Sequence, residues 1–386
     1  MKEIYLDNAA TTRCLPDAAK KAYDVMTQDF GNPSSLHMKG VEAEKYLDEA
    51  RHVISKSLRC KEKEIIFTSG GSESNNTAII GGALRNQRNG KHIITTAIEH
   101  EAVLSPIRSL EKRGFSVTYL PVSEEGIVLL DELSNALSSD TVLVSIMHVN
   151  NETGAVQPVE EAARLIHSKN KKTIFHVDAI QSFAKLPIDL RDTEIDMLSV
   201  SGHKLHAPKG SGFLFVRDKV LLDPLIYGGG QEGGLRSGTQ NVPAIAGLCE
   251  SVRFMTGDIK EHLKHFRELR ERLLSGLSDL DGISVNGPFN PEKQAPYIVS
   301  LSVKDVRAEV LLHALEEKGI FVGAGSACSS NRPHVSGTLQ AMGLEKDLLD
   351  KTIRLSFSVF TTDEEIDETV AAMKELVPVL SRYRRG

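Results

Sequence analysis

The chain has 386 residues, of which 40% are hydrophobic and 25% charged, the composition of a globular protein with roughly two to three domain-sized units. A net charge of −6 lacks the basic character typical of nucleic-acid-binding proteins, so we expect no direct nucleic-acid contact. No apolar run approaches the roughly 18 residues of a membrane span, and the first residues show no apolar signal-peptide segment.

Short β-rich runs alternate with helical patterns over the first two thirds of the chain. Helical apolar spacing appears in residues 73–87 and again in residues 158–170. The strand candidates are residues 64–69, 91–100, 115–122, 141–150, 172–180 and 195–202. This alternation predicts an α/β fold with a mostly parallel sheet that is flanked by helices. A last strand at 212–217 follows so closely that it can run antiparallel.

The pattern changes beyond about residue 255. A long charged helix at 259–277 leads into a strand at 297–303 and a helix at 307–319. A strand at 352–360 and a closing helix from Asp363 follow. We expect a large domain over 15–255, and a smaller α+β domain formed by 1–14 and 256–386.

The four cysteines are scattered, without a C-x-x-C pair or the spacing of metal ligands; they are Cys14, Cys60, Cys249 and Cys328. This predicts a reducing, cytoplasmic setting and no metal site. Cys328 lies in "GAGSACSSNRP" (323–333), among small and polar residues rather than the apolar neighbours of a buried structural cysteine. We expect it to be a free thiol on an exposed loop.

Two strand ends carry candidate catalytic groups. Lys204 follows Ser201 and His203 in "SVSGHKLHAPKG" (199–210). A lone lysine is most often a solvated charge, but its amine can also form a Schiff base with a carbonyl. Asp178 ends an apolar run in "HVDAIQ" (176–181), where it is either a helix N-cap or the partner of a cationic ring nitrogen. Neighbouring strand ends can offer both groups to one ligand.

Two glycine-rich stretches are candidate phosphate sites. "TSGGSESNN" (68–76) reads as a strand, a tight turn and a helix start, whose free backbone N–H groups suit an anion. A plain strand-to-helix connection explains the same pattern. "GGGQEGGLRSGTQ" (228–240) is either a surface loop or a phosphate contact through Ser237 and Thr239.

Ten motifs occur together and in order: "YLDNAATT", "GNPSSLH", "TSGGSESNN", "EHEAV", "HVNNETG", "HVDAIQS", "SGHK", "RSGT", "GSACSS" and "IRLS". In this combination the chain resembles the cysteine desulfurases of the class V aminotransferase superfamily, from Tyr5 to about Asp367. The resemblance implies a fold type I enzyme that uses pyridoxal 5'-phosphate and forms a homodimer.

The resemblance also implies roles for single residues. Lys204 would form the Schiff base, and Asp178 would contact the pyridine nitrogen. His100 would stack on the ring and move protons, although a histidine that only starts a helix is the alternative. Arg354 would bind the substrate carboxylate, although a structural ion pair is the alternative. The remaining cofactor contacts would be Gly71, Ser72, Asn151, Gln181, Ser201, His203 and, from the other subunit, Thr239. Substrate contacts would include Asn8 and again Asn151.

The activity implied by the resemblance converts L-cysteine to L-alanine and leaves a persulfide on Cys328. The sulfur would pass to an acceptor protein, either an iron–sulfur scaffold or a transfer RNA thiolation enzyme. A selenocysteine lyase or an aminotransferase of the same fold is the alternative, although transamination needs no nucleophilic thiol. A non-catalytic sulfur carrier is a third possibility, which intact Lys204, Asp178 and Cys328 disfavour.

Several positions depart from the usual pattern of these enzymes. Gly71-Ser72 replaces Ala-Thr, and His206-Ala207 replaces Tyr-Gly. Gly233 and Val359 stand where arginine is frequent. None of these changes removes an expected catalytic group.

Overall fold

The structure, a computed structural model, describes residues 3–324 and 336–383. These residues contain twelve strands: β1 (Ile4–Leu6), β2 (Ile65–Thr68), β3 (His92–Thr96), β4 (Ser116–Leu120), β5 (Thr141–Met147), β6 (Ile174–Asp178), β7 (Met197–Ser201), β8 (Gly212–Val216), β9 (Ile283–Asn286), β10 (Ile298–Val303), β11 (Ile320–Ala324) and β12 (Thr352–Ser356). Every strand expected from the sequence is among them.

Twelve α-helices lie in the same residues: α1 (Pro16–Thr27), α2 (Met38–Leu58), α3 (Gly71–Asn76), α4 (Gly82–Asn86), α5 (Glu101–Glu111), α6 (Leu130–Ala136), α7 (Val159–Lys169), α8 (Val242–Gly257), α9 (Ile259–Leu277), α10 (Ala308–Glu316), α11 (Gly337–Ala341) and α12 (Asp363–Leu380). A π-helical segment, Thr77–Gly81, joins α3 to α4, so one continuous helix runs from Gly71 to Asn86. Within the described ranges, no helix is long and apolar enough to cross a membrane.

The larger sheet has seven described strands in the order β2-β8-β7-β6-β5-β3-β4. Strands β3 to β7 pair in parallel, and β8 pairs antiparallel with both β7 and β2. The expected α/β fold, with a mixed and mostly parallel sheet between helices, is therefore confirmed. The antiparallel β8 follows from the short connection after β7, because a parallel return needs a long crossover.

Helices cover both faces of this sheet, as its residue pattern requires. Successive side chains of a strand point to opposite faces. In β2, Ile65 and Phe67 join a buried cluster with α2, α7 and α8, whereas Ile66 joins a cluster with α5 and the Gly71–Asn86 helix. Strands that are apolar on both faces, such as β5, are therefore buried throughout.

The smaller sheet has the described order β1-β11-β12-β10-β9 and packs on α9, α10 and α12. Its first strand, β1, comes from the N-terminus and pairs in parallel with β11. The chain thus starts in this sheet, builds the larger sheet and then returns. This arrangement supports the expected division at residues 15 and 255, which stays a prediction.

A buried polar row fixes the alignment of the three central strands. His176 of β6 lies between Ser145 of β5 (Nδ1 to Oγ, 2.8 Å) and Ser199 of β7 (Nε2 to Oγ, 2.9 Å). Burial lowers the pKa of His176 to about 3, so the ring is neutral at physiological pH. Because the row holds β5, β6 and β7 in one register, their carboxyl ends reach the same edge of the sheet.

Candidate functional site

A cavity of about 440 Å³ lies at the carboxyl ends of the central strands, between the two sheets. This volume is typical of a small-molecule site. Ten of the residues expected from the sequence line it: Gly71, Ser72, His100, Asn151, Asp178, Gln181, Ser201, His203, Lys204 and Arg354. Residues up to 283 positions apart in the chain, from Gly71 to Arg354, thus meet in one place.

Lys204 lies in a short 3-10 turn, Gly202–Lys204, directly after β7. Its Nζ donates hydrogen bonds to the carbonyl oxygens of Ala9 (2.5 Å) and Ala10 (2.6 Å). These carbonyls follow β1 of the smaller sheet. The amine is therefore held at the boundary between the sheets and is not the freely solvated charge that the sequence left as an alternative.

Asp178 is the last residue of β6 and is only 4% exposed. One carboxylate oxygen, Oδ1, accepts a hydrogen bond from the backbone N–H of Ile180 (2.9 Å), and Oδ2 accepts one from Nδ2 of Asn75 (2.7 Å). The carboxylate thus caps a turn at Ile180 rather than a helix. Burial raises the pKa of Asp178, and its two N–H donors and the nearby His100 and Lys204 charges act in the opposite direction.

Gln181 contributes a buried amide to the wall of the cavity. Its Nε2 donates to the carbonyl oxygen of Ala9 (2.9 Å), which also accepts from Lys204. Its Oε1 is buried and has no hydrogen-bond partner within the described part of the chain. A buried acceptor without a donor is unfavourable, so this oxygen is suited to a ligand hydroxyl or N–H group.

His100 lies at the start of a helix and also lines the cavity, whereas its expected role at the cofactor ring stays a prediction. It is the N-cap of α5, because its Nδ1 accepts a hydrogen bond from the backbone N–H of Ala102 (3.1 Å). The same ring lines the cavity. The helix-start alternative is therefore real, and it fixes the ring at the cavity wall instead of removing it from the site.

The side chain of Ile180 packs against the backbone at Gly71 and leaves little room for a larger residue there. A Cβ atom at position 71 would lie 2.2 Å from Cδ1 of Ile180, and both residues line the cavity. The isoleucine side chain thus occupies the space that the alanine of related sequences would fill. A larger residue at position 71 would therefore require the Ile180 side chain to move.

His203 stands beside Lys204 and is neutral at physiological pH. Burial, with smaller contributions from Lys204, Lys209 and Lys185, lowers its pKa to about 4. Its Nδ1 lies 3.1 Å from Oγ1 of Thr11, which fixes the ring orientation. A neutral histidine can donate one hydrogen bond without adding charge.

Arg354 reaches the cavity from β12 of the smaller sheet and is 4% exposed. Its Nη2 pairs with Oδ1 of Asp7 (2.7 Å), and its Nη1 donates to the carbonyl oxygen of Asn151 (2.9 Å). The structural ion pair that the sequence left as an alternative is therefore present. The buried Nε has no partner among the described residues, so the guanidinium keeps a donor for a carboxylate.

Two described residues that were expected at the site, Asn8 and Thr239, are not among those that line the cavity, and a third expected residue lies outside the described ranges. The side-chain amide of Asn8 donates to the carbonyl oxygens of Tyr5 (3.0 Å) and Ser356 (2.9 Å). Thr239 lines a separate small cavity of about 120 Å³, and it was expected to act from another subunit. Cys328 lies outside the described residues. The roles of all three stay predictions.

The structure also shows the surroundings of the other positions that depart from the usual sequence pattern, which are Gly233, Val359 and His206. Gly233 has a φ of 64°, a left-handed conformation that favours glycine, inside a 3-10 turn at Glu232–Gly234. That turn shows that the 228–240 stretch is not wholly irregular. Val359 is partly buried against the clusters of both sheets. His206 packs edge-on against Phe360, with ring centroids 5.3 Å apart.

The sequence did not reveal the residues that hold or shape the site residues. Asn75 holds Asp178, Asp7 holds Arg354, and Ile180 shapes the wall at Gly71. Their motifs were noticed, but their partners lie more than 100 residues away, so no local spacing pointed to these contacts. Two backbone carbonyls, at Ala9 and Ala10, carry no side-chain signal at all.

The arrangement brings together an amine, a buried carboxylate and a guanidinium with a free donor. These groups can bind a carbonyl compound covalently, hold a cationic nitrogen and orient a substrate carboxylate. No group of three or more metal-ligating side chains occurs in the described part of the chain.

We predict that Gly71→Ala destabilises the cofactor-free protein, because the new Cβ overlaps Ile180. Overpacking of this kind costs about 1–3 kcal/mol and should lower the melting temperature. Adding Ile180→Val removes Cδ1 and should restore most of the loss. Gly257→Ala is the control, because no atom lies within 4 Å of its added Cβ. Equal melting temperatures for Gly71→Ala and the parent would contradict the packing argument.

Comparisons with known proteins agree with this geometry. Residues 4–369 match the aminotransferase class-V family. A protein named cysteine desulfurase IscS from Methanosarcina thermophila is 41% identical over 379 residues, which cover 98% of this chain and 93% of the relative. A second protein of that name, from Escherichia coli O139:H28, is 43% identical over 395 residues, which cover 99% and 96%.

Solved structures show the same fold. A NifS-like protein superposes with a TM-score of 0.92 at 38% identity, covering 98% of this chain and all of the other. A NifS-like protein from Rickettsia africae superposes with a TM-score of 0.85 at 28% identity, covering 97% and 99%. The chain therefore belongs to the aminotransferase class-V family and, within it, to the cysteine desulfurases.

Proposed function

We propose that this protein is a pyridoxal phosphate-dependent cysteine desulfurase, which converts L-cysteine to L-alanine and retains the sulfur as a persulfide on Cys328. The observation that carries the proposal is the convergence of Lys204, Asp178 and Arg354 on one cavity. The cysteine desulfurase names of the relatives support the same activity.

The cavity fits pyridoxal phosphate on chemical grounds. The amine of Lys204 suits the cofactor aldehyde, and the buried carboxylate of Asp178 suits a protonated ring nitrogen. The unpartnered Oε1 of Gln181 suits the ring hydroxyl as donor. The cofactor thus offers an aldehyde for the amine, a protonated nitrogen for the carboxylate and a hydroxyl donor for the amide oxygen.

The remaining contacts follow from the walls of the cavity. His100 would lie on the ring. The phosphate would lie at the start of the helix that begins at Gly71, where backbone N–H groups have no intrahelical partner. The residues proposed for the phosphate are Gly71, Ser72, Ser201, His203 and, from the partner subunit, Thr239.

When bound, pyridoxal phosphate supplies an electron sink that makes the substrate α-proton acidic. Arg354 and Asn151 would orient the substrate through its carboxylate, and Asn8 would be a further substrate contact. The Lys204 amine, once displaced by the substrate, would accept the α-proton. The neutral ring of His203 would hold the phosphate end without adding charge.

The sulfur step belongs to Cys328, which lies outside the described residues. Its thiolate would attack the substrate sulfur, so that an S–S bond forms while the C–S bond breaks and its electrons remain on carbon. The carbon that carried the sulfur takes up a proton, and the α-carbon regains the proton that Lys204 accepted. The product is alanine, and the enzyme keeps a persulfide. The other thiols are poorly suited, because burial raises the pKa of Cys14 and raises those of Cys60 and Cys249 to about 12.

We further propose a cytoplasmic homodimer that passes its sulfur to an acceptor protein, either an iron–sulfur scaffold or a transfer RNA thiolation enzyme. The position of Thr239 away from this chain's own cavity supports a dimer, because a second subunit is then needed for that contact. The three described cysteines are free thiols, as a reducing compartment requires.

We predict that Lys204→Ala abolishes both activity and covalent attachment of the cofactor. Without the amine, alanine formation should fall by about 10²–10⁴-fold, the range for loss of an acid–base group. Borohydride reduction followed by peptide mass spectrometry should label Lys204 in the parent. Lys209→Ala, five residues further on and exposed, is the control. Labelling of a different lysine in the parent would refute the assignment, and a parent that binds no cofactor would favour a non-catalytic carrier.

We predict that Cys328→Ser retains the cofactor but loses desulfuration, because a serine hydroxyl is a weak nucleophile toward sulfur. Alanine released in a single turnover should drop to the background rate, and the peptide that carries residue 328 should gain no sulfur mass. Cys14→Ser is the control and should keep most activity. Near-normal turnover in Cys328→Ser would revive the alternative of an aminotransferase, and a keto acid product would identify it.

A further inference from the structure

We propose that Asn75 is a positioning residue that keeps the carboxylate of Asp178 ionised and aimed into the cavity. Asn75 is completely buried, and its Nδ2 donates to Oδ2 of Asp178 at 2.7 Å. The contact links two segments 103 residues apart. The consequence for the cofactor rests on the proposed function, whereas the contact itself does not.

The chemistry of the pair fixes which atom of Asn75 faces Asp178. An ionised carboxylate only accepts hydrogen bonds, so the amide must present its N–H group. The reverse orientation would place Oδ1 of Asn75 against a second oxygen acceptor. With Asn75 as donor, each oxygen of Asp178 accepts one hydrogen bond, the second from the backbone N–H of Ile180.

Asn75 also connects the helix start at Gly71 with the carboxylate of Asp178, which lie in different parts of the cavity wall. It lies four residues after Gly71, so the two residues share one face of the same helix. The helix start forms the wall proposed for the phosphate, while Asn75 holds the group proposed for the ring nitrogen. One helix therefore sets the distance between the two anchoring points.

The charges around Asp178 make this hydrogen bond important. Burial raises the pKa of Asp178, and the ionised form depends on the donors Ile180 and Asn75 and on the charges of His100 and Lys204. Another buried carboxyl that interacts with Asp178 is Glu99, whose pKa burial raises to about 8, so Glu99 is neutral at pH 7. Its Oε1 accepts from Met147 and Thr96. Removal of the Asn75 donor would raise the pKa of Asp178 further.

The pH dependence of the stability that is lost without the Asn75 donor distinguishes this role from simple packing. Asp178 has a raised pKa in the folded protein, so its protonation favours folding as the pH falls. Loss of the Asn75 donor destabilises only the charged form. The cost should therefore be complete above the folded pKa of Asp178 and should disappear below it. A packing defect would cost the same at every pH.

The test uses Asn75→Leu, which is close in size and has no donor. Melting temperatures of the cofactor-free protein, measured at a series of pH values up to pH 7, should show a loss that becomes smaller as the pH falls. In an Asp178→Asn background, the pH dependence of that loss should vanish. Asn86→Leu is the matched control, because Asn86 lies on the same continuous helix and donates to Gly82 and Leu221 instead. Asn75→Ala repeats the test without added bulk if the leucine variant does not fold.

With pyridoxal phosphate added, Asn75→Leu should bind the cofactor about tenfold more weakly at pH 8, the effect of losing one hydrogen bond to a charged group. A loss of stability that is the same at every pH of the series, or a pH dependence that persists in Asp178→Asn, would overturn the proposal. If the parent bound no cofactor, the proposed function would fail, and the cofactor-free melting data would still decide the role of Asn75.

Discussion

The buried carboxylate of Asp178 is the constraint on which the site depends. A charge that is removed from water is costly unless hydrogen bonds and opposite charges replace the solvent. The fold supplies two N–H donors, from Asn75 and Ile180, and directs His100 and Lys204 toward the same cavity. A ligand with a protonated ring nitrogen would place a positive charge directly against the Asp178 carboxylate, in addition to those of His100 and Lys204.

The smaller sheet matters because the site is built across the boundary between the sheets. The carbonyl oxygens that hold Lys204 follow β1, and Arg354 comes from β12. The first strand is therefore part of the catalytic architecture although it contributes no reactive side chain. This explains why residues at both ends of the chain are needed to complete one cavity, and why the activity is expected to depend on how firmly the two sheets pack.

Much of the fold could be predicted from the sequence, since strand patterns are local signals. Ten residues that the family resemblance implied for the site line one cavity, and their roles stay predictions. The expected antiparallel β8 followed from the short connection alone. The partners of the site residues were not predictable, because Asn75 and Asp178, or Asp7 and Arg354, meet only through tertiary packing. The same holds for Gly71, where only the structure shows that an added Cβ would meet the side chain of Ile180.

We propose that Asp178 holds a protonated cofactor ring in this cavity. The most direct measurement is the nitrogen NMR shift of pyridoxal phosphate that carries ¹⁵N in the ring, bound to the full protein. We expect a protonated ring nitrogen throughout the neutral pH range, and loss of that proton in Asp178→Asn. An unprotonated ring nitrogen in the parent protein would contradict it.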